Sequence, residues 1–243
     1  MNNKTMAAMF RVAVGILTVL ALVGLSACQP KAVRPTPAPS STSAPTDIDT
    51  AGAIRYQVDS AASEVHILVY RSGAMARLGH NHVLSSNQVT GQILLHSDLA
   101  HSHVQLSLPV ASLTVDDPKI RATEGEEFAA EVPQEAREGT RRNLLRAEVL
   151  DAEHFPTIAL QSVAVAGKRE TPSLIMRVTI KGVSRDVVVV ASVEEQKNLL
   201  LAEGEFTIQQ SDFGMTPFSV GLGALQVQDK LRVRFSIKCR QQQ

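Results

Sequence analysis

The chain has 243 residues, 24 basic against 24 acidic side chains, no tryptophan and two cysteines, Cys28 and Cys239. Balanced charge gives no overall field to steer nucleic acid or an anionic surface toward it, and two cysteines cannot build a disulfide framework. The fold must stand on an apolar core, and the length suits one domain with additional N-terminal segments.

Lys4 and Arg11 precede an uncharged run from Val12 to Leu25, and the segment ends Leu25-Ser26-Ala27-Cys28. A basic start, an apolar middle and small residues at the end describe a secretory signal over residues 1–27. The run is shorter than the about 20 residues a membrane span needs. The Leu-Ser-Ala-Cys ending resembles the lipobox of bacterial lipoproteins. By that resemblance Cys28 becomes the lipidated N-terminal residue, and Gln29 in the next position directs the protein to the outer membrane, facing the periplasm. Loss of residues 1–27 removes two basic groups and leaves 22 against 24. Cys239 then has no partner within the chain. Residues 28–53 carry Pro30, Pro35, Pro37, Pro39 and Pro45 among Ser, Thr and Ala, a composition that buries too little to fold and reads as a tether.

From Ile54 onward a period of two dominates, and the domain is expected over residues 54–240. Val65, Ile67 and Val69 alternate with Glu64, His66, Leu68 and Tyr70. Val89, Gly91, Ile93 and Leu95 share a parity, as do Val104, Leu106 and Leu108, where Pro109 marks a strand end. Ile158 and Leu160 follow. Leu174, Met176, Val178 and Ile180 lead through Lys181-Gly182 into Val187–Val190, which predicts a hairpin. Gly204–Ile208 is another strand. The last strand places Leu231, Val233, Phe235 and Ile237 inward and Arg232, Arg234, Ser236 and Lys238 outward. Residues 116–150 break the pattern. Asp117-Pro118 predicts a helix start, Pro133 and Gly139 predict breaks, and Thr140 is expected to cap a second helix bearing Leu144, Leu145 and Val149. The class is all-β and antiparallel, with two short helices in the 116–150 connection. Period alone does not separate a barrel from a sandwich; Gly214, Gly221 and Gly223, as tight bends at one rim, lean toward a barrel.

The chemistry concentrates in Leu78-Gly79-His80-Asn81-His82-Val83. His80 and His82, two apart on an extended segment, leave one face together. They are candidates for the polar end of a ligand, for a metal, or for a structural turn. A metal needs a third ligand from among His66, His96, His101, His103, His154 or Asp212. In Ser211-Asp212-Phe213-Gly214, Asp212 is expected to satisfy loose amides, while Phe213 and Phe218 plug a core or a cavity. Arg141, Arg142 and Asn143 would meet a phosphate if a helix began there. No GxSxG elbow or Cys–His pattern supports nucleophilic catalysis, and the paired acids lie in the charged connection. The expected protein is not an enzyme.

Tyr56 with Asp59, Tyr70-Arg71-Ser72-Gly73, the Gly-His-Asn-His segment, Val89-Thr90-Gly91, Leu150-Asp151 with Phe155-Pro156, Gly182 through Arg185 and Asp212 through Phe218 together resemble the YceI-like family from Arg55 to Ile237. That resemblance implies an eight-stranded antiparallel lipocalin-like barrel. It implies an elongated apolar cavity for a lipid such as an isoprenoid quinone or polyprenyl phosphate, and members that form homodimers. The connection 116–150 would shield or gate the mouth. Beside this carrier expectation stand a metal-binding protein using His80 and His82, and a structural envelope protein with a filled core.

Overall fold

The computed structural model describes residues 51–242. The leader, Cys28 and all but the last residues of the tether lie outside them. Twelve strands form one antiparallel sheet. They are β1 (Ile54–Val58), β2 (Glu64–Ser72), β3 (His82–Ser86), β4 (Thr90–Leu95), β5 (His103–Pro109), β6 (Thr114–Val115), β7 (Thr157–Lys168), β8 (Thr171–Ile180), β9 (Val183–Gln196), β10 (Leu199–Gln209), β11 (Ser219–Val220) and β12 (Leu225–Gln241). The order β1-β4-β5-β7-β8-β9-β10-β12 closes when β12 returns to β1 through Tyr56–Gln241 and Val58–Cys239 pairs. This is an eight-stranded antiparallel, lipocalin-like barrel, and closure decides against the sandwich because the ring has no free edge.

Three strands of the ring are broken. β1 and β2 are halves of one strand, interrupted at Ser60–Ala62, and both pair with β12. β4 and β3 follow β1 and β2 across the sheet, and β5 and β6 follow those in turn. Each of the eight strands in the closed order finds both neighbours within residues 54–241, while the run β12-β2-β3 ends at the short β6, so this segment holds its own ladder and its own core.

Side-chain parity falls as the sequence predicts. Val65, Ile67, Val233, Phe235 and Ile237 point inward, while Arg232 and Arg234 stay on the outside with Glu205. Lys181 (φ 51°) and Gly182 (φ 73°) make the two-residue turn between β8 and β9. Positive φ at both positions matches strand twist. A Cβ at Gly182 would stand 2.7 Å from the Phe155 ring, so the turn accepts no larger residue.

The 116–150 connection departs from expectation. Helix α1 (Pro118–Arg121) starts as predicted, with the Asp117 carboxylate accepting from the Lys119 and Ile120 amides. Helix α2 runs Gln134–Leu145, straight through Gly139 and Thr140. Pro133 precedes it as the N-cap and does not break it, because a helix start needs no amide donor there. Interior glycine costs about 1 kcal/mol, and tertiary contacts offset it. The Arg141 guanidinium donates to the Leu113 and Ala111 carbonyls, and Leu144 and Leu145 pack on the core. Arg141, Arg142 and Asn143 therefore sit in the last turns of α2, not at a helix start, and the condition for a phosphate contact there is not met. Asp212 is corrected likewise. The Ser211 amide and hydroxyl are taken by Asp229.

A satellite core lies outside the barrel wall. Leu68 and Val83, on the outward faces of β2 and β3, are covered by Phe128 of the connection, with Tyr70 and Ile120 beside them. Glu124 anchors the same strap. Its carboxylate, nearly inaccessible, is 2.6 Å from His66 Nδ1 and accepts from Arg234 at 2.7 Å. Cys239 is fully buried on β12, and burial, with a smaller contribution from Asp59, pushes its thiol up to about 12. A thiol in that state holds almost no thiolate at pH 8. Alkylation followed by peptide mass spectrometry should leave Cys239 unmodified in the folded protein and modify it completely in denaturant; rapid native labelling would contradict the burial.

Candidate functional site

Two cavities of about 170 Å3 each occupy the barrel interior. They adjoin, sharing Ile67, Ile158, Ile180 and Ile208 as walls. Each slightly exceeds the roughly 150 Å3 that holds a benzene in a dry apolar site. The interior is thus neither an open tube nor a filled core. The first cavity is aliphatic and aromatic, and the only polar side chains on its wall are Ser102 and Arg169. Arg169 is spent in a two-pronged pair with Glu195 (2.5 and 3.0 Å) and a bond to the His96 carbonyl. The second cavity lies under α2. Its polar residues are His82, Thr140, Asn143 and Gln210. The second cavity thus carries four polar side chains against two in the first, where Ser102 accepts from the His96 amide and Arg169 is held by Glu195.

His82 opens β3 facing inward, opposite Val69, while Val83 turns out to the satellite core. Its Nδ1 is 2.6 Å from Asp116 Oδ2. Asp116 is wholly buried, with φ 52°, and its other oxygen accepts from the Val83 amide at 2.9 Å and the Arg121 guanidinium at 2.5 Å. Arg121, itself buried under Phe128, also donates to the carbonyls of Asn81 and Ala130. Asn81 completes the latch, accepting from the Arg71 amide and donating to the Glu127 carbonyl at 3.0 Å each. Gly-His-Asn-His is therefore a junction joining β2, β3 and the connection, with one imidazole turned to the cavity.

The ionisation states follow. Burial pulls the Asp116 carboxyl up, but the His82 and Arg121 hydrogen bonds, the His82 charge and the Val83 amide outweigh it and hold it below 3.8. Burial, then the charges of His82 and Arg121, lower the His80 imidazole from 6.5, against a smaller opposing pull from Asp116. For Asp116 the linkage sign is plain. The folded value lies below the unfolded one, so its stabilisation is complete above about 3.8 and drains away as pH falls through the folded value. D116N should flatten that acid limb. Denaturant unfolding from pH 6 down to about 2 checks it, and equal slopes in both proteins would refute it.

Of the four ligand candidates, the structure brings His82 and Phe218 onto the wall of the second cavity. Phe213 is buried in the main core and lines neither cavity. His80 stands 6.4 Å from His82, ring centre to ring centre, and lines neither of these two cavities. Among the described residues no group of three or more His, Cys, Asp and Glu is placed to hold a metal, and His82 Nδ1 is engaged by Asp116. The sequence reading missed Asp116 and Arg121. Asp116 was legible only as half of an acidic pair, since its partner lies 34 positions away.

A closed antiparallel barrel, largely apolar within and more polar toward one end of its interior, defines the class of lipocalin-like barrels. The YceI-like domain family matches residues 56–239, and the chain belongs to that family. Its members are known for binding apolar ligands. Burkholderia cenocepacia BcnA is structurally similar, with TM-score 0.54 and 17% identity, over 74% of this chain and 98% of that one. The Campylobacter jejuni YCEI protein gives TM-score 0.47 and 16% identity over 66% and 85%. A variant of it carrying a monobromobimane guest gives 0.48 and 15% over the same shares. A comparison with curated protein sequences found no match.

Proposed function

We propose that the barrel is a non-enzymatic carrier for one slim apolar chain ending in a small uncharged polar head. The observation that carries this reading is the pair of adjoining, largely apolar cavities, the second more polar than the first. Burial at about 25 cal/mol per Å2 supplies affinity for the chain, and the more polar end fixes its direction. Among the described residues no unpaired cation lines either cavity, since Arg169 is held by Glu195. That favours an isoprenoid quinone or quinol over a polyprenyl phosphate.

The Asp116 contact of His82 sharpens the head group. An ionised carboxylate only accepts, so His82 Nδ1 carries a proton and Nε2 is the ring nitrogen left to meet a head group. A hydroxyl, which can donate to Nε2 or accept from it, fits there, as a quinol or an alcohol offers. Native mass spectrometry with solvent extraction of the purified protein tests the carrier reading. A protein that arrives empty and takes up no isoprenoid quinone, quinol or alcohol would sink it. H82L should weaken a hydroxyl-headed ligand about tenfold, the value of one or so net hydrogen bonds. It should leave an isoprenoid hydrocarbon unaffected, and equal losses for both would remove the head-group role.

The same proposal places the protein in a bacterial envelope, held at the outer membrane by lipid on Cys28 with residues 29–53 as the tether. Incorporation of a palmitate analogue that survives C28A would overturn that placement.

A further inference from the structure

Half of the large exposed apolar side chains among the described residues fall in two short loops: Met75 and Leu78 in one, Phe218, Val220 and Leu222 in the other. Their exposures run from 42% to complete for Leu222, which tips a turn at φ 54°. The loops form one platform. The Met75 amide donates to the Ala224 carbonyl at 2.7 Å, and a Cβ at Gly73 would stand 2.5 Å from the Gly223 and Ala224 carbonyls. Gly79 likewise abuts the Leu225 side chain. Such close seating holds the apolar tips outward, where a collapsing loop would hide them.

Three observations say what this platform meets. First, it is continuous with the second cavity, since Phe218 lines that cavity while 42% exposed. Second, no acidic residue occurs from Gly73 to His82 or from Gly214 to Gln228, whereas Arg71, Arg77 and Lys181 lie in or beside the loops. The nearby Glu148 is paired with Arg146. Asp212 and Asp229 flank the second loop, Asp229 accepting from Ser211, while the loops themselves carry Arg77 and no acid. Third, the platform and the N-terminal end of β1 lie at opposite ends of β12, because Ala224 meets Met75 and Gln241 meets Tyr56. On the proposed anchoring, the 25 residues 29–53, at about 3.1 Å for each one extended, would be long enough to pass the 17 residues of β12 at about 3.3 Å each, so linker length does not hold the far rim away from a surface.

We propose that this rim docks on a lipid bilayer bearing anionic head groups, with Met75, Leu78, Phe218, Val220 and Leu222 in its interfacial layer. The second cavity then opens toward the layer, and an apolar molecule passes between two apolar phases without crossing water. The other exposed apolar side chains of the wall, Val163, Ile175, Val188 and Val190, lie on β7, β8 and β9, with Ile175 paired to Val188, and none of the four lines either cavity. The docking rests on the carrier reading for its purpose but not for its test.

The chain contains no tryptophan, so L222W sets a single indole at the tip of the rim. Segment 51–242 carries the closed barrel without the leader or Cys28. With vesicles of phosphatidylethanolamine and phosphatidylglycerol, its L222W emission should shift to the blue, and V188W on the wall should not shift. M75S and L78S in the L222W background should each weaken vesicle association about tenfold, and added salt should weaken it further. If L222W does not fold, flotation of the unsubstituted segment against M75S/L78S reads the same effect. No shift with these vesicles, or an equal shift in V188W, overturns the proposal. So does a blue shift without vesicles that tracks a dimer mass, because the rim would then cover a second copy. Vesicle binding by a barrel that takes up no apolar ligand would sink the carrier and leave the docking standing.

Discussion

D116A is expected to destabilise the barrel by about 3–5 kcal/mol, the cost of leaving a buried charge without its partner. The carboxylate accepts from His82, the Val83 amide and Arg121 with no solvent contact. Alanine leaves the Arg121 guanidinium with two carbonyls and no counter-charge. Urea unfolding of the two proteins at neutral pH measures the difference, and a loss below about 1 kcal/mol would show that water or a rearranged chain takes over the role. The double variant D116A/R121M should recover part of the loss, because apolar residues of similar volume replace a buried pair at little cost. A further loss in the double variant would mean that Arg121 acts through its carbonyl bonds to Asn81 and Ala130 instead.

A191F is expected to abolish uptake of apolar ligands while leaving a folded barrel. Ala191 sits on β9 at the wall of the first cavity, and a phenyl group there occupies much of its about 170 Å3. Overpacking costs about 1–3 kcal/mol, which a closed barrel should survive. Titration with a fluorescent long-chain probe should show at least a tenfold fall in affinity, beside thermal unfolding only a few degrees lower. V188A on the outer wall is the control. Unchanged binding in A191F would place the ligand outside the barrel. Gly204, the neighbouring position on β10, is unsuitable for such filling. A Cβ there would stand 2.7 Å from the Val190 carbonyl and 2.8 Å from the Phe235 ring, so its substitution tests folding and not uptake.

Much of the barrel was legible because its strands obey one local rule. On β12, Leu231, Val233, Phe235 and Ile237 share a face whatever the strand pairs with, and Lys181-Gly182 needs only its own dihedrals to turn the chain. Asp117 caps α1 for an equally local reason. Closure was not legible, because Tyr56 meeting Gln241 is a property of the whole ring. The satellite core left a trace that was open to reading. Leu68, Tyr70 and Val83 are apolar on the outward parity, which a bare outer wall would not require. The start of α2 was not legible because Gly139 is a breaker by local rule, and the contacts of Arg141 and Leu144 that offset it are long-range, while Pro133 lies outside the helix as its N-cap. The candidate site was half visible. His82 and Phe218 stood out by residue type, whereas Asp116, Arg121 and the burial of Glu124 between His66 and Arg234 depend on long-range packing alone.

The pairing of the first strand with the last also fixes when this protein can finish folding. β1 is synthesised long before its partner at Cys239 to Gln241. Until then β1 and β2 present unsatisfied amides along the seam that β12 will fill, and closing so long a loop is slow. A nascent or truncated chain therefore displays an adhesive strand edge that the finished ring hides. The C-terminal strand acts as the fastener of the whole wall, and loss of its last few residues should appear first as aggregation during synthesis.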